Sequence, residues 1–183
     1  MNFYYDDIVN DIIDHSEIED IIPKLDLFKE SVVALIQKYS YRDLHVDYTQ
    51  GLLTEEDNKI AFFCIDHEFS IYNCPTMLIY QKYTHPDTDE IIYYIFLICT
   101  KPSFRNKGYA SKILDGFIQR VNLENPNRTQ KIKIILSSLE SAVLFYESYG
   151  FRWTCDSLSD HEILMQHEIY EDGKEYFILE LDM

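Results

Sequence analysis

Apolar residues fall along this chain with two different spacings. The run Ile91-Ile92-Tyr93-Tyr94-Ile95-Phe96-Leu97-Ile98-Cys99 is continuous and rich in β-branched and aromatic residues. It lacks the polar alternation of a half-exposed strand, which predicts a central strand covered on both faces. A polar, basic turn follows, from Thr100 through Gly108. The spacing then changes: Ala110, Ile113, Leu114, Phe117, Ile118 and Val121 fall at i, i+3, i+4, i+7, i+8 and i+11, one face of a helix. Asn122 and the pair Asn125-Pro126 stop it.

The flanks are read the same way. Residues 1–22 are isoleucine-rich without a clean period, and the stretch Ile8 to Ile13 suits a strand or a short helix. From Pro23 onward, Leu25, Phe28, Val32, Leu35, Ile36 and Tyr39 share a helical face. A weaker helix or loop leads to Asn58. Lys59 to Asp66 and Thr76 to Tyr83 read as strands, and His85-Pro86-Asp87-Thr88-Asp89 as a turn. Beyond the central helix, Ile132 to Leu136 is a short apolar strand. Ser137-x-x-Glu140 has the form of a capping box, predicting a helix through Tyr149 that Gly150 terminates. Ile163 to Tyr170 and Glu175 to Asp182 flank Glu171-Asp172-Gly173-Lys174, whose Asp-Gly marks a hairpin turn. Phe177, Leu179 and Leu181 alternate with charge in the last segment, which is expected to close the sheet. There is no linker or repeat, so the expectation is one α/β (mixed α+β) domain over 1–183. Its parts are a helical N-terminal portion (1–58), a central sheet with its turn (59–136), and a C-terminal helix with closing strands (137–183).

A strand, a tight turn and a helix in succession aim unpaired backbone N–H groups and the positive end of a helix dipole at one point, which suits phosphate. Gly108 lets a ligand approach the main chain without a Cβ in the way. The turn lacks the Gly-x-x-x-x-Gly-Lys of a nucleotide loop and the three glycines of a dinucleotide site. Pro102 through Ala110 instead fits Pro-x-Phe/Tyr-Arg-x-x-Gly-x-Ala. A second block, Ala142 through Phe151, fits Ala-x-x-x-Tyr-Glu-x-x-Gly-Phe. With both blocks at this separation, the stretch from Ile91 to Phe151 resembles the GNAT superfamily of acyl-CoA-dependent N-acetyltransferases.

The resemblance implies a mixed, mostly antiparallel sheet of six to seven strands with strands 4 and 5 splayed and helices on both faces. It implies acetyl-CoA as co-substrate, its pyrophosphate on the amides of Arg105, Asn106, Lys107, Gly108, Tyr109, Ala110 and Ser111. The strand end Ile98-Cys99-Thr100 would pair with the pantetheine arm. Tyr146 stands where the family commonly places the tyrosine that protonates the departing sulfur. By periodicity alone Tyr146 shares a face with Ala142, Val143 and Tyr149 and would pack in the core; Tyr149 is the other candidate. Two positions depart from the family pattern. Leu139 stands where many relatives have an asparagine that touches pantetheine, leaving Ser137 or Ser138 as substitutes. Neither Ile91–Cys99 nor Ile132–Leu136 holds an acid, so a general base would come from Asp66, His67, Glu68 or Glu90, or would act through water.

Charge sharpens this picture. The net charge is −16, yet residues 100–133 hold eight bases against two acids, the one basic island of the chain. An anionic cofactor would be drawn there, and the acidic remainder would draw a cationic amine such as a polyamine, an aminoglycoside or a peptide amine. So small a basic patch is a poor footprint for nucleic acid. The four cysteines (Cys64, Cys74, Cys99, Cys155) include no Cys-x-x-Cys, and of these only Cys99 adjoins the basic turn. The histidines show no His-Glu-x-x-His and read as solvated, so no metal is expected. The N-terminus has neither a basic n-region nor an apolar h-region, and no run is long enough to span a bilayer. The expectation is a cytoplasmic protein, monomer or homodimer. A non-catalytic acyl-CoA-binding module and an acidic interaction protein on the same fold are the alternatives.

Overall fold

The computed structural model describes residues 1–39, 46–55, 57–127, 129–167 and 175–183. In chain order its elements are β1 (Asn2–Tyr4), α1 (Tyr5–Asp14), α2 (Ile18–Tyr39), α3 (Val46–Thr54), β2 (Asn58–Phe63), β3 (Thr76–Thr84), β4 (Ile91–Thr100), α4 (Tyr109–Glu124), β5 (Ile132–Leu139), α5 (Glu140–Glu147), β6 (Arg152–Trp153), α6 (Glu162–His167) and β7 (Tyr176–Asp182). Short 3-10 turns occupy Pro102–Phe104 and Leu158–Asp160.

The strands form one sheet in the order β1-β2-β3-β4-β5-β7-β6, with helices on both faces. β1 runs antiparallel to β2, while β7 runs antiparallel to both β5 and β6. β4 and β5 run parallel, as a strand–helix–strand crossover through α4 requires. Their ladder joins Ile91–Ile95 to Ile132–Leu136 and ends there, although β4 runs on to Thr100 and β5 to Leu139. Past that point β5 continues against β7, with Ser137 opposite Ile178 and Leu139 opposite Tyr176.

The chain packs as two compact units. The first comprises Met1–Ile79 with Leu97–Val121, the second Tyr80–Phe96 with Asn122–Met183. In the first, the apolar stripe of α2 buries Phe28, Val32, Leu35 and Ile36, and that of α4 buries Ile113, Leu114, Phe117 and Val121. Those are the positions that the helical spacing selects. Leu114 is fully enclosed, and Leu114→Ala is expected to lower unfolding stability by about 2–5 kcal/mol in a urea titration, through lost transfer energy plus the cavity left behind. In the second unit, Ile91–Ile95 and Ile134–Leu136 are buried. One face carries a cluster of Ile92, Tyr94, Ile135, Leu164 and Ile178, with Tyr83, Phe96, Leu158 and Ile163 packed against it.

Ile8 to Ile13 resolves as helix, within α1, and the segment before Asn58 contains α3. The capping box is not formed: Ser137 and Ser138 lie in β5, and the residue preceding α5 is Leu139, which makes no side-chain cap bond. Pairing with β7 draws both serines into strand geometry and overrides a signal worth about 1 kcal/mol. Gly150 does end the following turn in the left-handed region, with φ 92°. Glu162–His167 is a helix and not the expected strand, because Ile163 and Leu164 turn together onto the Ile92–Tyr94 cluster. The Glu171–Lys174 turn lies outside the described residues. β7 takes an interior place between β5 and β6, and β6 is the edge.

Candidate active site

The segment after β4 is fixed from below by Lys101. Its backbone N–H donates to Pro75 O at 2.9 Å, and its largely buried ammonium reaches Ile71 O and Tyr72 O at 3.3 and 3.4 Å. Burial, reinforced by Lys38 and opposed by Cys74 and Cys64, holds that ammonium below the ordinary lysine range. The end of β4 is also tied: Thr76 Oγ1 donates to Cys99 O at 2.8 Å, and Arg105 Nε donates to Thr100 O at 3.2 Å.

From Arg105 to Gly108 the chain is exposed. Asn106 has φ 59° and Gly108 φ 77°, while Lys107 between them is not among the left-handed residues. Alternation of hand in successive residues is the backbone habit of anion-binding nests. Asparagine and glycine are the residue types that enter the left-handed region most readily. A Cβ built on Gly108 meets no atom within 4 Å, so the main chain there faces an open cradle. The first bond of α4 runs from Lys112 N to Gly108 O (3.1 Å), so Tyr109 and Ala110 supply first-turn amides that have no acceptor within the helix. Arg105 is less available than expected, because its N–H is engaged by Pro102 O at 3.3 Å.

The basic side chains here turn onto aromatic faces. Lys107 Nζ donates to Ser103 O at 2.9 Å and lies 5.3 Å from the Phe104 ring; Lys112 lies 5.4 and 5.5 Å from the Phe63 and Tyr109 rings. Among the described residues neither lysine meets a carboxylate, which leaves their charge for an incoming anion. Cys99 gains no thiolate character from this setting. Burial pushes its thiol up to about 12, outweighing the lowering by Arg105.

The other expected residues lie in the second unit. Tyr146 is half-buried on α5, its ring 5.0 Å from that of Phe145 and 5.6 Å from that of Phe151. Tyr149 packs 5.5 Å from Phe145. Of the two serines considered in place of the absent asparagine, Ser138 Oγ donates to Leu139 O at 3.0 Å, whereas Ser137 Oγ is buried with no hydrogen-bond partner. Among the candidate bases, Asp66 accepts from Asn73 Nδ2 at 2.9 Å, and Glu90 faces Lys133 at 3.9 Å.

His161 departs from the solvated reading. Its side chain is only 13% exposed, its Nε2 stands 3.4 Å from Asp156 Oδ2, and its ring meets Tyr94 edge-on at 6.2 Å. Tyr94 lies 67 positions away in sequence, so no local motif betrays the contact. Among the described residues no group of three or more His, Cys, Asp or Glu is placed to hold a metal ion, and no helix is long and apolar enough to cross a membrane.

Residues 83–168 match the family model described as acetyltransferase (GNAT) domain. That stretch is similar to a GNAT domain. Solved structures carry the same fold. The ribosomal-protein-S18-alanine N-acetyltransferase from Escherichia coli aligns over 100% of this chain and 94% of its own, with TM-score 0.56 at 14% identity. Arabidopsis thaliana NAA60 in complex with acetyl-CoA aligns over 84% and 94%, with TM-score 0.57 at 11% identity. The NatC complex bound to Gag peptide and CoA aligns over 84% and 92%, with TM-score 0.59 at 18% identity. Identities this low establish the fold alone. No curated protein sequence matches the chain. The GNAT match includes both motif blocks, the turn before α4 and the α5 segment that ends at Phe151.

Proposed function

We propose that this protein is an N-acetyltransferase of the GNAT superfamily that moves the acetyl group of acetyl-CoA to an amine, by direct attack within a ternary complex. The carrying observation is the turn before α4. Its two left-handed residues, the open face of Gly108 and the first-turn amides of α4 fit a diphosphate, and it lies inside the only strongly basic stretch of the chain. NAA60, which shares the fold, has been crystallised with acetyl-CoA.

In this reading Asn106 through Ser111 hold the diphosphate, with Arg105, Lys107 and Lys112 adding positive charge. The end of β4, Ile98 to Thr100, aligns the pantetheine amides. Reaction then needs a neutral amine, a donor for the developing oxyanion and a proton for the leaving thiolate. A main-chain N–H at the end of β4 serves the oxyanion, and the Tyr146 phenol gives its proton to the sulfur. The acidic surface outside residues 100–133 favours a cationic acceptor, so a polyamine, an aminoglycoside or a peptide amine fits better than an acidic one.

Two measurements test this. Calorimetry with acetyl-CoA is expected to give saturable heat; none would leave only a scaffold role. Thiol release is then followed with spermidine, an aminoglycoside and a short peptide bearing a free α-amine. Binding without release on any of them would favour a non-catalytic acyl-CoA module, the reading to which the leucine at position 139 and the absence of acids in Ile91–Cys99 and Ile132–Leu136 lend support.

A further inference from the structure

An amine that arrives as an ammonium must lose a proton before it can attack a thioester, and neither β4 nor Ile132–Leu136 offers a carboxylate for this. The second unit contains a histidine with the needed surroundings. The Asp156 carboxylate stands beside His161 Nε2, which favours the tautomer with Nε2 protonated and leaves the lone pair on Nδ1. Among the described residues Nδ1 has no hydrogen-bond partner. The ring is held edge-on to Tyr94.

The sheet register says where this imidazole stands. Tyr94 pairs with Ile135, one step before the parallel β4–β5 ladder ends at Ile95 and Leu136. Ser137 is the first β5 residue past that end. Strand alternation puts it on the same face as Ile135 and opposite Ile178, so on the face that carries Tyr94. Its buried hydroxyl has no partner, the condition expected of a polar group whose partner is a ligand. A carboxylate-paired imidazole and a buried hydroxyl in want of a partner therefore share the face where the ladder stops.

We propose that His161, oriented by Asp156, takes the proton from the acceptor ammonium, while Ser137 offers its hydroxyl to the acyl donor or the acceptor. The inference rests on the acyl-transfer reading above. The proton passes from R–NH3+ to Nδ1 and then to solvent. The freed nitrogen lone pair forms the C–N bond, the C–S bond breaks, and the second amine proton replaces the one that Tyr146 gives to sulfur. The charged and titratable groups around His161 come from two directions. Asp156, Asp160 and Glu162 lie on its own segment, and Glu90 and Tyr83 bear on Tyr94 from across the cluster. The Tyr94 phenol, pushed up to about 12 mainly by burial, stays protonated and does not compete as a base.

His161→Gln keeps a donor toward Asp156 and removes the base. With spermidine, whose amines resemble that of lysine, kcat/KM is expected to fall about 100-fold near pH 7 and to recover above about pH 10, where the amines deprotonate unaided; with the α-amine peptide, of which about a tenth is already neutral at pH 7, the fall is expected to be about tenfold. With hydroxylamine, which arrives neutral, the fall is expected to be under about threefold, and acetyl-CoA affinity and urea unfolding stay as in the native protein. Asp156→Asn is expected to cost about tenfold in kcat/KM with spermidine and under about threefold with hydroxylamine, because the imidazole loses the partner that sets its tautomer. Equal losses with spermidine and hydroxylamine, or a native rate profile in His161→Gln, overturn the assignment and leave acyl transfer standing. A native protein that binds no acetyl-CoA, or releases no thiol with any amine, overturns both.

Discussion

Gly108→Glu is expected to abolish acetyl-CoA binding, with no heat at concentrations that saturate the native protein. The substitution has room in the folded chain, since no atom lies within 4 Å of the new Cβ. Its structural cost is that of placing a side chain at φ 77°, about 1–2 kcal/mol, which for a chain of this length lowers Tm by only a few degrees. The carboxylate, however, enters the open face where the diphosphate is proposed to sit, and like charges brought together cost several kcal/mol. About 4 kcal/mol already corresponds to a thousandfold loss of affinity. Gly108→Ala carries the same backbone cost without the charge and should weaken binding far less. Native affinity in the glutamate variant would remove the turn as the phosphate site, and with it the basis for the proposed function.

Tyr146→Phe is expected to lower kcat about 100-fold while leaving acetyl-CoA affinity within about threefold. Phenylalanine preserves the ring contacts with Phe145 and Phe151, so packing is retained and only the hydroxyl is lost. Replacing a partnered hydroxyl typically costs about 1 kcal/mol of stability, too little to unfold a domain. The loss should appear in turnover because a thiolate without a proton donor departs slowly, whereas binding of the intact thioester does not use that proton. The decisive comparison is kcat against Kd in one preparation. Unchanged turnover would return Tyr146 to a packing role and make Tyr149 the next residue to test.

The features that were legible in the sequence are those set by neighbours close in the chain. The uninterrupted Ile91–Cys99 run and the stripe from Ala110 to Val121 gave β4 and α4 because burial on two faces and on one face leaves different periods. Gly150 adopts the left-handed conformation expected of a residue that ends a helix. What escaped notice depends on distant partners. Ser137 and Ser138 carry a local signal for a helix start, but the strand at Tyr176–Asp182 recruits them into the sheet. The short apolar stretch from Ile163 fits either period, and only contact with Ile92 and Tyr94 decides it. His161 stood out in no motif, since its partners are Asp156 in the same segment and a tyrosine from the central strand.

The place of β7 between β5 and β6 bears on how the protein is made. Residues 176–182 follow every other element, so while a ribosome is still elongating the chain, β5 has one unpaired edge and β6 has no neighbour. That edge, Lys133 to Leu139, carries open amides and carbonyls beside apolar side chains, the kind of surface on which nascent chains associate. Pairing on that side of the sheet is therefore completed only when residues 176–182 enter the gap between two strands that precede them in the chain.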